Sequence, residues 1–147
     1  MSITFQLPSR IATSPHNASA ERQPVWKYGV AAAVVASVAT TVLAAAASAA
    51  GVSFGGRTGA SIPIASFPQL TLAFSLVGVG IAAIIARKAD RPRRTFVRTA
   101  VALTALSFVP DLALGFDAAS AATLITLHTL AAAIVVPTLT RRLPGSR

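Results

Sequence analysis

Residues 69–86 read QLTLAFSLVGVGIAAIIA, and the eight that follow, residues 87–94, read RKADRPRR. The first stretch has no formal charge in eighteen positions, whereas the second has five bases in eight. At the helical rise, eighteen residues extend roughly 27 Å, the order of a bilayer's hydrocarbon core. An apolar run of that length ending at a basic cluster is the pattern of a transmembrane helix meeting headgroups.

Three more runs of the same kind flank it: residues 29–50 (GVAAAVVASVATTVLAAAASAA), 99–116 (TAVALTALSFVPDLALGF) and 118–139 (AASAATLITLHTLAAAIVVPTL). Lipid offers no hydrogen-bond partner, so backbone groups inside it pair within the segment, and each run reads as a helix. The shorter alternating segments of barrel strands are absent. Over the whole chain, 54% of residues are hydrophobic and 12% charged, with a mean hydropathy of +0.68. A soluble fold of this size needs charge over most of its surface, and here the charges sit in a few clusters between long apolar runs. The expected fold is therefore all-α: a polytopic membrane protein with four transmembrane helices in a compact bundle. Its expected divisions are a flexible cytoplasmic tail over 1–24, a transmembrane domain over 25–143 and a short cytoplasmic tail over 144–147. The chain has no cysteine, which excludes disulfides, thiolate metal sites and cysteine nucleophiles.

The bases set the orientation. Arg10, Arg22 and Lys27 precede the first span; Arg87, Lys88, Arg91, Arg93, Arg94 and Arg98 lie between the second and third; Arg141, Arg142 and Arg147 follow the fourth. Only Arg57 falls on the other side, so the positive-inside rule places both termini and the middle loop in the cytoplasm. Trp26 and Tyr28 then stand at the cytoplasmic interface. A rival reading of the first span as a signal peptide rests on Ala47-Ser48-Ala49, an A-x-A site. Against it, the apolar run exceeds the usual length of such a peptide and the leading segment is long. Asn17-Ala18-Ser19 matches a glycosylation acceptor, but on the cytoplasmic side it is not used.

Lipid supplies no hydrophobic drive for helix association, so packing is expected through small residues. Span one presents Ala33, Ser37, Thr41, Ala45 and Ala49 at every fourth position, with Ala36, Thr40, Ala44 and Ser48 alongside; span two adds Gly78 and Ala82.

The candidate functional residues are the polar ones inside the spans. Thr104, Ser107 and Asp111 share one face of span three, beside Pro110, which removes a backbone donor. His128 lies near the middle of span four. An intramembrane aspartate costs roughly 2.5–3.5 kcal/mol at the bilayer centre and less near its edge, so it marks a functional site by default. Both groups exchange protons without a cofactor. Counting residues from the turn at Gly115-Phe116-Asp117 sets Asp111 level with Ala122 or Thr123, and His128 level with Thr104 and Ala105. A direct contact is not expected on that count; a link between them would need Ser107 and a water. The more ordinary alternatives are a bond from Asp111 to Thr123 or a freed backbone donor, and an interhelical one from His128 to Thr104 or a backbone carbonyl. No second carboxylate, HExxH motif, nucleophile elbow or metal-spaced histidine cluster accompanies the pair, so no catalytic residue, cofactor or metal is expected. Gly78-Val79-Gly80 sits mid-span and is no nucleotide fingerprint.

Arg87, Lys88, Arg91, Arg93 and Arg94 form the second candidate region, a contact for anionic headgroups worth about 1 kcal/mol per base near the surface. Their simpler role is the topology signal itself. The cluster has no interleaved aromatics and no binding module, so nucleic acid is not an expected partner. A homo-oligomer or another membrane protein is.

SIPIASFP (61–68), RKADRPRRTFVR (87–98), SFVPDLAL (107–114) and ATLITLHTLAAAIVVPTLTRRLP (122–144) together resemble an uncharacterised family of small four-helix bacterial integral membrane proteins, a domain of unknown function. The resemblance covers about the last 90 residues; span one matches only in character. It implies the four-helix membrane fold and supplies no activity. The expected function is a non-enzymatic structural or accessory component of the bacterial inner membrane. The alternative is a small proton-coupled or ion-handling protein using Asp111 and His128.

The lack of native cysteine makes the orientation directly measurable. In Arg57→Cys, a membrane-impermeant maleimide labels intact cells; in Asp90→Cys it labels only after permeabilisation. The opposite pattern inverts the topology.

Overall fold

The protein is described by a computed structural model covering residues 25–56, 59 and 61–145. The tail over 1–24, the Asn17 acceptor, Arg57 and Arg147 lie outside the described residues. Four helices form: α1 (Val25–Ala49), α2 (Ser66–Lys88), α3 (Pro92–Ala113) and α4 (Ala118–Thr140). Each is long and apolar enough to cross a membrane. The chain is a multi-pass all-α membrane protein.

The helix ends follow local chemistry. Arg87 and Lys88 fill the last turn of α2, where cations offset the negative end of the helix dipole. Pro92 starts α3, where its missing N–H costs nothing and its fixed φ suits the first turn. The expected third span ran to residue 116, but α3 stops at Ala113. Gly115 turns the chain with φ +70°, a conformation that residues with a Cβ adopt at a cost. α3 continues unbroken past Pro110, and the Leu114 N–H bonds the Pro110 carbonyl at 2.9 Å.

The helices follow one another around a ring, with α1 against α2 and α4, and α3 against α2 and α4; α1 and α3 occupy opposite corners. α1 is the helix on which the bundle closes. Gly29, Ala32, Ala33, Ala36, Ser37, Thr40 and Ala44 are its buried residues. Of the expected small-residue rows, Ala36, Thr40 and Ala44 are buried, as are Ala33 and Ser37, but Ala45 and Ala49 are exposed. A row taken every fourth residue rotates by roughly 40° per step in a 3.6-residue helix, so it walks off a straight interface. Gly78 also departs from expectation: a Cβ there would meet open space, and Ser75, Val79 and Ala82 form the inner face of α2 instead. The close approach falls at Gly29, whose missing Cβ would stand 2.5 Å and 2.8 Å from the Val79 methyls and 3.1 Å from Leu139 Cδ2.

Hydroxyls join α1 to α2 in the apolar interior. Ser37 Oγ donates to the Pro68 carbonyl at 2.9 Å, and the Thr40 and Thr71 hydroxyls lie 3.1 Å apart. Interhelical bonds of this sort are worth about 0.6 kcal/mol on average in a membrane protein, so they orient the helices more than they hold them.

Two apolar clusters fill the bundle. Near the basic end, Ala32, Ala36, Val79, Ala82, Phe96, Val135, Leu139 and Leu143 pack together. At the opposite end the cluster is Ala44, Phe54, Phe67, Leu124 and Leu127. Phe54 belongs to the α1–α2 connection, yet only 1% of its surface is exposed. The connection turns back on itself at a Gly55–Ser61 bridge and inserts the Phe54 ring against Phe67, with centroids 5.0 Å apart. Its N–H bonds Ser120 Oγ at 3.1 Å and its carbonyl accepts from Ile62 N–H at 3.1 Å, so a buried loop backbone is paired at both groups. Phe54 holds φ at +49°, an uncommon conformation for a bulky residue, and this packing sustains it.

Phe54→Ala removes this plug and leaves a cavity. It is expected to destabilise the bundle by about 3–5 kcal/mol, measured as thermal unfolding in detergent. A change under 1 kcal/mol means that the loop does not seal the bundle.

Candidate functional site

The inward side of α3 is the expected polar one. Thr104, Ser107 and Phe108 are half-buried and Asp111 is 6% exposed, while Val101, Leu103, Leu106, Val109 and Leu112 face outward. Ser107 Oγ donates to the Thr104 carbonyl at 2.7 Å, within its own helix, and leaves the carbonyl freed by Pro110 to others. Thr123 likewise bonds the Ala119 carbonyl at 2.8 Å, so it does not serve Asp111.

Asp111 and His128 meet directly, contrary to the level count. His128 Nδ1 lies 3.2 Å from Asp111 Oδ2 and 2.9 Å from the Leu124 carbonyl. The count compared backbone levels alone. Side chains on a helix lean toward its N-terminus; on antiparallel helices the two lean toward each other, His128 toward the α3–α4 turn and Asp111 away from it. No water and no Ser107 relay is needed. The Leu124 carbonyl belongs to the same helix as His128, so this bond is not the ordinary alternative, an interhelical one to Thr104 or a backbone carbonyl.

The contact is close but incompletely bonded. Nδ1 carries at most one proton, and the Leu124 carbonyl is aligned to receive it, as in other helical side chains that bond back four residues. Asp111 Oδ2 is buried and has no hydrogen bond of acceptable geometry despite its ion-pair distance. The Asp111 side chain is 8% exposed and that of His128 40%, so the imidazole stands in the bundle wall with the carboxylate behind it. Phe108 sets its ring edge-on to the imidazole, with centroids 6.4 Å apart and planes at 71°. Among the described residues no group of three His, Cys, Asp or Glu could hold a metal.

At the other candidate region the structure divides the expected bases. Arg91, Arg93 and Arg94 border a groove of about 680 Å³ that also takes in Val97, Arg98, Thr140 and Gly145. Arg87 and Lys88, at the end of α2, are not in it; Lys88 and Arg91 border a second, smaller hollow with Asp90 and Thr95. Arg93 Nε donates to the Thr140 carbonyl at 3.2 Å and fastens α3 to the end of α4. The Arg142 guanidinium stacks 3.6 Å above the Tyr28 ring, fastening α4 to α1. Among the described residues no carboxylate lies within ion-pair distance of these arginines.

A model of a family of unknown function, DUF6069, matches residues 20–145. The chain belongs to that family. Neither a curated protein nor a solved structure matches it. Membership covers all four helices, the Asp111–His128 pair and the arginine groove, and assigns a role to none of them.

One polar device was missed in the sequence. Asp117 caps α4, accepting from the Ala119 and Ser120 N–H groups at 3.0 Å each, while Ser120 Oγ donates to its other oxygen at 2.6 Å. Ser53 Oγ, from the α1–α2 connection, reaches the same oxygen at 3.3 Å. Because Ser120 also holds the Phe54 N–H, the cap and the plug form one network. An Asp immediately before an apolar run is the signal for such a cap; the partners from residues 53 and 54 are not visible locally.

The side-chain and backbone bonds from Ser120 are the largest influence on Asp117, and they hold its carboxyl below the usual carboxylate range. Its contribution to stability is therefore full above that range and is lost as the pH falls through its depressed value. Asn caps helices as well as Asp does but does not titrate. Asp117→Asn is expected to stay near wild-type stability at neutral pH and to flatten the fall in unfolding temperature below about pH 4. Equal acid sensitivity in both proteins removes Asp117 from the account.

Proposed function

We propose that the protein is a non-enzymatic accessory or structural component of the bacterial cell membrane, associating with itself or with another membrane protein. Both termini and the arginine-bearing end lie in the cytoplasm on this reading, with the bases against anionic headgroups. One observation carries it: the bundle interior is filled from both ends, by Phe96, Leu139 and Leu143 near the bases and by the Phe54 plug opposite. A conduit along the bundle axis would have to displace these side chains. The outward apolar side chains of α3 suit lipid or another helix equally well. Crosslinking in native membranes, followed by mass determination, is expected to give a discrete dimer or a defined partner adduct. Only monomer, at every crosslinker length, counts against association.

The Asp111–His128 contact favours a second reading, a proton-coupled or ion-handling protein that works through the bundle wall rather than along its axis. Its support is the buried, unbonded carboxylate oxygen facing an imidazole that is itself partly open. On this reading wild-type proteoliposomes show a pH-dependent flux that Asp111→Asn abolishes while the protein stays folded. No flux from the wild type removes its basis.

A further inference from the structure

The groove at the basic end is open, and the arginines that border it are exposed. Arg94 and Arg98 stand one turn apart on α3, Arg91 borders the same groove from the residue just before the helix, and Arg93 beside them is tied to the end of α4. From Arg94 to Arg98 the helix rises roughly 6 Å, comparable to the headgroup layer of roughly 5–7 Å. Val97 lies in the same groove between Arg94 and Arg98 and is 36% exposed, an apolar contact among the bases. Cations also crowd the first turn of α3, where the helix dipole is positive and no side chain caps the N-terminus. Bases there are of the wrong sign for the helix. An anion in the groove would answer the guanidinium groups and the dipole together.

We propose that this groove is a discrete site for one anionic phospholipid, its phosphates forked by Arg91, Arg94 and Arg98 and the start of an acyl chain lying against Val97. The proposal rests on the headgroup contact above and deepens it from a diffuse patch to a stoichiometric site. Val97 offers an acyl chain an apolar contact that free phosphate would not use. Several guanidinium groups with no carboxylate within ion-pair distance among the described residues favour a head that carries two phosphates over one.

The full-length protein is reconstituted in phosphatidylcholine vesicles containing diphosphatidylglycerol or phosphatidylglycerol at equal phosphate, extracted in mild detergent, and the lipid retained per chain is read by native mass spectrometry. One retained diphosphatidylglycerol per chain is expected, at higher occupancy than phosphatidylglycerol. Arg94→Ala/Arg98→Ala is expected to reduce that occupancy about tenfold, the equivalent of one charge-assisted hydrogen bond. Arg87→Ala/Lys88→Ala removes the same charge outside the groove and is expected to leave it unchanged. Arg94→Lys/Arg98→Lys keeps the charge but loses the fork and is expected to fall well below wild type. Equal losses in the two alanine pairs would leave only diffuse headgroup attraction and overturn the site while sparing the broader contact. Displacement of the lipid by millimolar inorganic phosphate would overturn the choice of a lipid. No retained lipid in the wild type would overturn both.

Discussion

Hydrocarbon gives a helix no reason to leave it for another helix, so this bundle depends on how closely its backbones can approach. The approach is made by α1, whose inner side is almost entirely Gly, Ala, Ser and Thr. Where Gly29 meets Val79 and Leu139 there is no room for a Cβ, and dispersion across that narrow gap does the work that hydrophobic burial does in water. The larger side chains then divide according to what remains. Those on α2, α3 and α4 that point inward fill the two clusters, and those that point outward meet lipid. α3, opposite α1 and touching only α2 and α4, is the least enclosed helix, with three buried residues along its length.

The same scarcity of partners governs the polar groups. Most hydroxyls in the spans bond a carbonyl of their own helix, as Thr126, Thr129, Thr138 and Thr140 do with the residue four back. A Ser or Thr in lipid can solve its own problem in this way. Asp111 does not, since its buried Oδ2 has no hydrogen-bond partner. It is met by His128 from the neighbouring helix, and incompletely, since that imidazole also serves Leu124. This leaves Asp111–His128 as the polar feature of the interior that the fold does not absorb, and the connection from Phe54 to Ser120 and Asp117 as one that it absorbs fully.

The two ends of the bundle are built differently. At one, the α1–α2 connection folds into the interior and closes it with an aromatic ring. At the other, three elements converge through arginines: Arg93 on the end of α4, Arg142 on the Tyr28 ring, and Arg91, Arg94 and Arg98 around an open groove. One end is thus closed and apolar and the other open and cationic.

Four spans, their approximate limits and the gathering of bases on one side were legible in the chain, because hydropathy and charge position are properties of a segment and need no knowledge of its neighbours. So was the shared side of Thr104, Ser107 and Asp111, which follows from helical periodicity alone. Which small residues would touch was not legible: Gly78 has ideal spacing and faces open space, whereas Gly29, near the start of α1, makes the tightest approach. The Asp111–His128 contact was missed because level counting places backbones, and the gap is closed by side chains leaning in opposite senses on antiparallel helices. Phe54, in a loop, was passed over for the same reason, and Arg98, at the edge of a span, was read only as part of the orientation signal. Their surroundings are made by helices distant in sequence. Segment chemistry determined that the chain crosses the membrane and where; only the packing of α1 between α2 and α4, and of α3 across from it, decided which groups inside and at the ends meet.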